Sequence, residues 1–155
     1  SMRQTAEKLV LVGPEYGPYA KRVRSLVADL GLENDVIIAG NVPYADLPGY
    51  YQHAKVNVFA SSCENCPNIL LEAMAGGKPI LCSDFQPMPE FARGAVEYFD
   101  PYDPTMLAGR LARYLDDAPL RERMGLAAFE ESQRFQWADS ARRTWQALAA
   151  LAIQA

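Results

Sequence analysis

Two glutamates and two cysteines lie close together in the segment SSCENCPNILLEAMAGGKP, residues 61–79. Glu64 and Glu72 are eight positions apart, and Cys63 and Cys66 form a CxxC pair. Carboxylates accept hydrogen bonds from hydroxyl groups, whereas paired thiolates bind metals or exchange electrons. Three interpretations follow: a metal or redox site, two unrelated surface acids, or the edge of a pocket that binds a polar ligand.

The metal and redox interpretations fit the spacing poorly. A zinc site would need Cys82 and His53 as further ligands, and their scattered positions match no zinc motif. A thioredoxin-like role is disfavoured because Pro67 directly follows the second cysteine of the pair. We therefore expect no metal at this segment, and we expect its thiols to be reduced and buried.

Short apolar runs around this segment predict β-strands. Between these runs, apolar residues recur at helical spacing and predict α-helices. Asp103 with Pro104, and Pro119, mark the starts of two helices, and a last helix begins near Trp137. This alternation predicts an α/β fold with a Rossmann-like, doubly wound, mostly parallel sheet and a C-terminal helical tail. The predicted strands are residues 8–13, 35–40, 55–61, 79–83 and 95–100.

In such a sheet, ligands bind beyond the carboxyl ends of the strands, and the segment 61–79 begins at one of these ends. With Pro67 as the first helical residue, the backbone N–H groups of Asn68, Ile69 and Leu70 would be unpaired and would attract an anion. Glu64 precedes these groups and Glu72 lies one turn into the helix. A nucleoside diphosphate sugar suits this arrangement, because it has a diphosphate between two groups that carry hydroxyls.

Composition excludes several classes of protein. The chain has 155 residues, 15 Lys and Arg against 19 Asp and Glu, and a net charge of −4, which argues against nucleic acid as a partner. No apolar run is long enough to span a bilayer, and three cysteines do not make a disulfide framework. We expect one domain, residues 1–155, in which Ser1 and Met2 resemble a remnant of tag removal. We expect the protein to be in a reducing, cytoplasmic setting.

Glu64 and Glu72, with the following AMAGGKPILCSD, resemble the E-x7-E signature of retaining glycosyltransferases of the GT-B fold, the group 1 or family 4 class. The similarity continues through residues 9–62, 89–111 and 135–145. It implies that the chain is the donor-binding C-terminal half of a two-domain enzyme. That enzyme would transfer a sugar from a nucleotide sugar to a glycan or a lipid-linked acceptor, which the absent N-terminal half would bind.

The resemblance also implies roles for individual residues. Glu64 would meet the transferred sugar and stabilise an oxocarbenium-like transition state, next to Asn65, and Glu72 would bind the ribose hydroxyls. No metal cofactor is implied, because the helix N-terminus would stabilise the negative charge of the diphosphate, as a bound cation does in other enzymes. The remaining implied binding residues are Asn68, Ile69 and Leu70 for the diphosphate, through their amides, and Asn41, Val42 and Pro43 for the base.

The sequence departs from the family pattern at two places. Asn65 and Cys66 stand where many members have glycine and an aromatic residue. The chain begins at what resembles the family's second strand, so the first strand, with its Gly-Arg loop and a lysine on the next helix, has no counterpart. In the sheet order 3-2-1-4-5-6 that strand is central.

We therefore expect the neighbouring strands to close the gap, or a second copy to supply a strand in a homodimer. The chain alone is expected to bind nucleotides weakly and to transfer no sugar.

Two alternative functions are also compatible with the sequence. One is a GT-B enzyme related to nucleotide-sugar epimerases, and the other is a Rossmann-like binding module with no catalytic role. A dinucleotide-dependent dehydrogenase is disfavoured, since no G-x-G-x-x-G follows a strand. Attachment to the inner face of the membrane, an alternative to a purely cytoplasmic protein, would depend on the absent half.

Overall fold

The computed structural model describes residues 7–152. The chain divides into two compact units, residues 1–47 (unit 1) and 48–155 (unit 2), and each is described by itself. Both have parallel strands joined by helical connections, as the sequence predicts. No helix within residues 7–152 has the length and apolar character needed to cross a membrane.

Unit 1 is a single βαβ element. Strand β1 (Leu9–Val12), helix α1 (Gly17–Asp29) and strand β2 (Val36–Gly40) follow one another, and the strands pair in parallel with Leu9 opposite Val36. The apolar runs predict both strands, and Gly31, with a φ of 65°, ends the helical segment as the sequence suggests. A short 3₁₀ turn, Tyr44–Asp46, follows β2. None of the described side chains of unit 1 is buried.

Unit 2 contains a three-stranded parallel sheet with strands in the order β3-β4-β5 and with helices on both faces. The helix α2 that leads into it begins at the last residue of unit 1. The elements are α2 (Leu47–His53), β3 (Asn57–Phe59), α3 (Asn68–Ala75), β4 (Ile80–Ser83), α4 (Met88–Ala92), β5 (Glu97–Phe99), α5 (Pro104–Asp116), α6 (Ala118–Ser132) and α7 (Trp137–Ala152).

The two faces of β4 are covered by different helices. Ile80 and Cys82 pack into a cluster with side chains of α3, α4 and α6, whereas Leu81 packs on the other side with Tyr114 of α5 and with Phe99. Successive side chains of a strand point to opposite faces, so a strand that is buried on both faces must be apolar throughout. All four residues of β4 are buried, and the prediction of a doubly wound α/β fold is confirmed.

The helical tail begins where the sequence predicts it. The Asp103 carboxylate accepts hydrogen bonds from the backbone N–H groups of Thr105 and Met106, and Asp117 caps α6 through the N–H of Leu120. Large apolar side chains along α7 are exposed: Trp145 is 72% exposed and Leu148 is 56% exposed. Helical spacing therefore identifies the helix but does not show that its apolar face is covered.

The described strands of each unit pair only within that unit's own sheet. Among residues 7–152, the strands pair in two separate sheets, β1-β2 and β3-β4-β5. Whether the neighbours of the family's missing first strand close the gap directly, or a second copy supplies a strand, stays a prediction.

Candidate functional site

The loop of residues 60–67 leads from the carboxyl end of β3 to helix α3, and its first part is fixed to the sheet. The Ser83 hydroxyl, at the carboxyl end of β4, donates a hydrogen bond of 2.5 Å to the carbonyl of Ser61. Ser83 is completely buried, so this bond is shielded from water. The side chain of Glu64, three residues after Ser61, is half-buried. The bond therefore limits where the loop can place Glu64.

Ser83 was not among the predicted site residues. The signal available in the sequence is a single hydroxyl residue at the end of the apolar run PILCS. Parallel strands end at the same edge of a sheet, so a polar residue at the end of β4 must lie near the loop that leaves β3. That argument identifies the position of Ser83 but not its partner.

The first turn of α3 offers two free backbone donors instead of the three predicted. The helix begins at Asn68, one position later than predicted, and Pro67 is its capping residue. The Asn68 amide donates to the carbonyl of Cys66 at 2.9 Å, so the prediction of an unpaired amide is wrong there. No backbone carbonyl within residues 7–152 accepts from the amides of Ile69 and Leu70. These two donors lie at the positive end of the helix dipole.

Glu72, in the second turn of α3, has a defined partner. Its Oε2 atom accepts a hydrogen bond of 3.2 Å from the hydroxyl of Tyr51 on α2. The two helices are close, since a Cβ added at Gly76 would lie 2.8 Å from the Cβ of Tyr51. Glu72 is half-buried and therefore is not an ordinary charge on a helix surface. Nothing in the sequence marks Tyr51 as its partner.

The predicted base-binding residues belong to unit 1, whereas Glu64, Asn65, residues 68–70 and Glu72 belong to unit 2. Asn41 and Pro43 are exposed and Val42 is half-buried, directly after β2. Gly40 has a φ of 66°, a conformation that favours glycine and that turns the chain out of the strand. The structure thus places each group at the carboxyl end of a strand within its own unit.

A bidentate ion pair lies at the same end of unit 1. Arg24 of α1 donates to both carboxylate oxygens of Glu15 at 2.7 Å. The hydrogen bond from Arg24 holds the pKa of Glu15 below its usual value. The pair joins the loop after β1 to α1, and both side chains are partly open to solvent.

The cysteines differ from the expectation. Cys63 and Cys66 are exposed, so the prediction that both thiols of the CxxC pair are buried is wrong; the loop places them outside the apolar clusters. Cys82 is buried in β4, and burial raises the pKa of its thiol to about 12. Within the described part of the chain, no three His, Cys, Asp or Glu side chains are grouped so that they could hold a metal ion.

A cavity of 560 Å³ lies elsewhere in unit 2, at the amino ends of β3 and β4. Lys55 and Lys78 line it together with Leu126 and Phe129 of α6. Parallel strands place their amino and carboxyl ends at opposite edges of the sheet, so this cavity is separate from the loop 60–67. It is not part of the candidate site.

The chemistry available at the site comes from backbone N–H groups and a carboxylate. The amides of Ile69 and Leu70 can donate to the oxygens of a phosphate, and the half-buried Glu64 can accept from hydroxyl groups next to it. A phosphorylated ligand with hydroxyl groups matches these two features. His53, the single histidine of the sequence, lines the cavity at the amino ends of the strands and meets the carbonyl of Gly49 at 2.8 Å, so it is not the base of a nucleophile at this loop.

Comparison with known proteins adds a family match. Residues 2–131 match the family model described as "Glycosyl transferases group 1". A D-inositol 3-phosphate glycosyltransferase from Acidothermus cellulolyticus is 32% identical over 141 residues, which are 88% of this chain and 31% of that protein. This chain therefore spans less than a third of the length of that relative.

Solved structures show the same fold. Sucrose-phosphate synthase from Thermosynechococcus elongatus superposes with a TM-score of 0.87 at 26% identity, covering 96% of this chain and 39% of the synthase. The Anabaena protein HepE, solved in complex with UDP, gives a TM-score of 0.85 at 22% identity, covering 93% of this chain and 41% of that protein. At that identity, the second likeness concerns the fold alone.

Proposed function

The chain belongs to the group 1 glycosyl transferase family, and on that premise we propose that it is the donor-binding domain of a longer, retaining enzyme of the family 4 type. The enzyme would transfer a sugar from a nucleoside diphosphate sugar to a glycan or a lipid-linked acceptor. Acceptor recognition is assigned to a part of the protein outside these 155 residues, because the chain covers 31% of the related inositol phosphate enzyme.

One observation supports the proposal more than any other: the segment that leads from β3 into α3 carries both a half-buried carboxylate, Glu64, and two backbone amides with no backbone acceptor among residues 7–152. The amides of Ile69 and Leu70 would hold the diphosphate at the positive end of the helix. Glu64, which the Ser61–Ser83 bond keeps near the sheet edge, would face the sugar bonded to that diphosphate. Negative charge near the reacting carbon would stabilise the positive charge that develops as the leaving group departs.

The other predicted residues complete the donor site in this proposal. Glu72 would bind the ribose hydroxyls, with one carboxylate oxygen already oriented by Tyr51. Asn65 would contact the sugar, and the loop Asn41, Val42 and Pro43 would contact the base partly through backbone groups. The complexes of HepE with UDP and with UDP-glucose support a nucleotide-sugar donor, since they have the same fold.

We propose further that the reaction needs no divalent cation. The leaving diphosphate would be stabilised by the amides of α3 and its dipole, which provide preorganised positive charge. Activity of the full-length protein is then expected to persist in a metal chelator. A full loss of activity on chelation, restored by Mg²⁺ or Mn²⁺, would contradict this part of the proposal.

The proposal is tested by replacing Glu64 in the full-length protein. Release of nucleoside diphosphate from UDP-glucose, UDP-N-acetylglucosamine and GDP-mannose would be measured without added acceptor. We expect Glu64→Gln to slow release by on the order of 100-fold, because a neutral amide cannot stabilise a developing cation. Nucleotide affinity should change little, since the amides that would hold the diphosphate are intact.

Glu130→Gln is the matched control, because Glu130 is an exposed glutamate on α6. It should leave release unchanged. If Glu64→Gln released nucleotide as fast as the unchanged protein, the catalytic assignment would be wrong and a binding module would be the better description. The anomeric configuration of the first product, read by NMR, would separately test retention.

A further inference from the structure

The two thiols of the CxxC pair differ in exposure from the third cysteine. Cys63 and Cys66 are both exposed, whereas Cys82 is completely buried in β4. Thiol–disulfide exchange requires that a thiolate reach a sulfur atom in solution, so exposure decides which cysteines can react. Two of the three cysteines meet this requirement, and both lie in the loop that carries Glu64.

The backbone between the two thiols allows them to approach each other. Residues 63–66 form no helix or strand, and the chain bends at Asn65 and Cys66. A disulfide needs Cα atoms within about 7 Å, and a chain reversal brings residues three apart within the same distance. No regular hydrogen-bonding pattern has to be broken for the loop to adopt such a turn.

The side chains of the two cysteines make few and weak contacts, although the Cys66 carbonyl accepts from the Asn68 amide at 2.9 Å and the Cys63 carbonyl accepts from the Ser61 hydroxyl at 3.3 Å. The Cys66 thiol donates to the side-chain oxygen of Asn68 at 3.5 Å. The amide of Cys63 meets the hydroxyl of Ser61 at 3.5 Å, at the limit for a hydrogen bond. Neither sulfur belongs to an apolar cluster of unit 2. Movement of these side chains therefore costs little packing energy.

We propose that Cys63 and Cys66 form a reversible disulfide, a modification site that takes small-molecule disulfides of the glutathione class as oxidant. One thiolate attacks the oxidant and releases one small thiol, leaving a mixed disulfide on the protein. The second thiolate then attacks the protein sulfur of that mixed disulfide and releases the second small thiol. Overall, two protein thiols become one S–S bond, and one oxidant disulfide is reduced to two thiols.

The bond would close a small ring that contains Glu64 and Asn65. It would draw Cys66 away from Asn68 and would restrict the backbone on both sides of Glu64. The Ser61–Ser83 bond and the start of α3 hold the two ends of the loop, so the ring closure must be absorbed between them. If the proposed function is right, on which this consequence rests, the oxidised protein binds its donor in a poorer geometry.

Cys82 provides an internal control for the experiment. Its side chain has no access to solvent, and burial raises the pKa of its thiol to about 12. It should stay reduced under conditions that join the two exposed cysteines. A reagent that reaches all three thiols equally would show that unit 2 has opened.

Peptide mapping tests the bond directly, because the sequence allows the cysteines to be separated. A protease specific for glutamate cuts after Glu33, Glu64, Glu72 and Glu90, which places each cysteine in a different peptide. The chain would be incubated in reduced or oxidised glutathione, free thiols would be blocked, and the digest would be analysed by mass spectrometry without reduction. The three peptides are residues 34–64, 65–72 and 73–90.

After oxidised glutathione we expect peptides 34–64 and 65–72 to be joined, at the sum of their masses less two hydrogens. Peptide 73–90 should carry the blocking group in both samples, and excess dithiothreitol should separate the joined pair. Cys63→Ser should instead leave Cys66 with a bound glutathione. The proposal is wrong if the two peptides stay separate, if each cysteine keeps its own glutathione, or if the bond involves peptide 73–90 or a second chain.

The functional consequence has its own readout in the full-length protein. Oxidation should slow donor cleavage by about tenfold or more, because small displacements of a reacting group are costly, and dithiothreitol should restore it. The Cys63→Ser, Cys66→Ser double variant should be insensitive to oxidised glutathione. If the disulfide forms but donor cleavage is unaffected, the proposed modification is supported and its proposed effect on the site is wrong. If reduced protein cleaves no donor at all, the proposed function fails independently.

Discussion

Units 1 and 2 are built from the same local pattern but differ in burial. Each has parallel strands connected by amphipathic helices, yet unit 1 has no buried side chain among residues 7–47, whereas unit 2 buries all of β4. In unit 2, helices cover both faces of a three-stranded sheet. Within residues 7–47 of unit 1, one α-helix accompanies two strands, and Leu9, Leu26 and Ile37 remain about half exposed.

Apolar periodicity in the sequence therefore identifies helices and strands but does not show whether other elements cover them. A strand pair with one helix cannot enclose a side chain on all sides, whatever its sequence. Unit 2 reaches full enclosure because alternate residues of β4 meet separate helical layers. We therefore expect nearly all of the unfolding free energy of the chain to come from unit 2.

The same substitution in both units should have very different effects on stability. Leu81→Ala removes a completely buried side chain from unit 2 and should lower the unfolding free energy by about 3 kcal/mol. Leu26→Ala, on α1 of unit 1, removes a side chain that is 56% exposed and should cost less than about 0.5 kcal/mol. Urea denaturation followed by circular dichroism compares them. A large cost at Leu26 would mean that its face is covered in solution.

Two glycines of unit 2, Gly125 and Gly109, differ in how closely other atoms approach them. Gly125 of α6 packs against the turn after α3, and a Cβ there would lie 2.5 Å from the carbonyl oxygen of Gly77. Gly125→Ala should therefore destabilise by about 2 kcal/mol, because backbone atoms would have to move. Gly109→Ala is the control on α5, where a Cβ meets nothing within 4 Å. It should be neutral or stabilising by up to about 1 kcal/mol, as read from thermal unfolding.

Alkaline pH should lower the stability of unit 2, because burial raises the pKa of one cysteine and two tyrosines there. Burial raises the pKa of Cys82 from 9.0 to about 12, and of Tyr98 and Tyr114 from 10.0 to about 12. Above pH 9.0 the unfolded chain releases protons that the folded chain keeps, so stability is highest below that pH and falls as the pH rises towards 12. Each retained proton gives a slope of about 1.4 kcal/mol per pH unit.

Cys82→Ala isolates one of these groups. The variant should be less stable than the unchanged chain at about pH 8, because a buried side chain is shortened. Its stability should nevertheless fall less steeply above pH 9.0, since one retained proton is gone. Urea denaturation at several pH values measures both slopes. Equal slopes would show that the Cys82 thiol ionises as readily in the folded state as in the unfolded one.

Much of this fold could be predicted because its signals are local. As the sequence predicts, Asp103 with Pro104 starts α5, and Pro119, predicted to start the next helix, lies in the first turn of α6. The apolar run at residues 79–83 is a strand that is buried on both faces. Each of these predictions depends on a few neighbouring residues whose preferences agree with the final structure.

The contacts that shape the site could not be predicted in the same way. The hydrogen bond from Ser83 to Ser61 and the one from Tyr51 to Glu72 join residues 22 and 21 positions apart. Their existence depends on how β3, β4 and the helices are placed, which single-residue preferences do not encode. The exposure of Cys63 and Cys66 was missed because a cysteine is buried more often than not, and the loop overrides that tendency.

NMR of the isotope-labelled chain during titration with UDP and GDP tests the proposal that the first turn of α3 holds a diphosphate. The amide signals of Ile69 and Leu70 should shift progressively with either nucleotide, even at weak affinity. Uridine, which lacks phosphate, should leave them in place. If those two amides stay unchanged while signals elsewhere respond, or if uridine shifts them equally, the diphosphate binds somewhere else and the account is wrong.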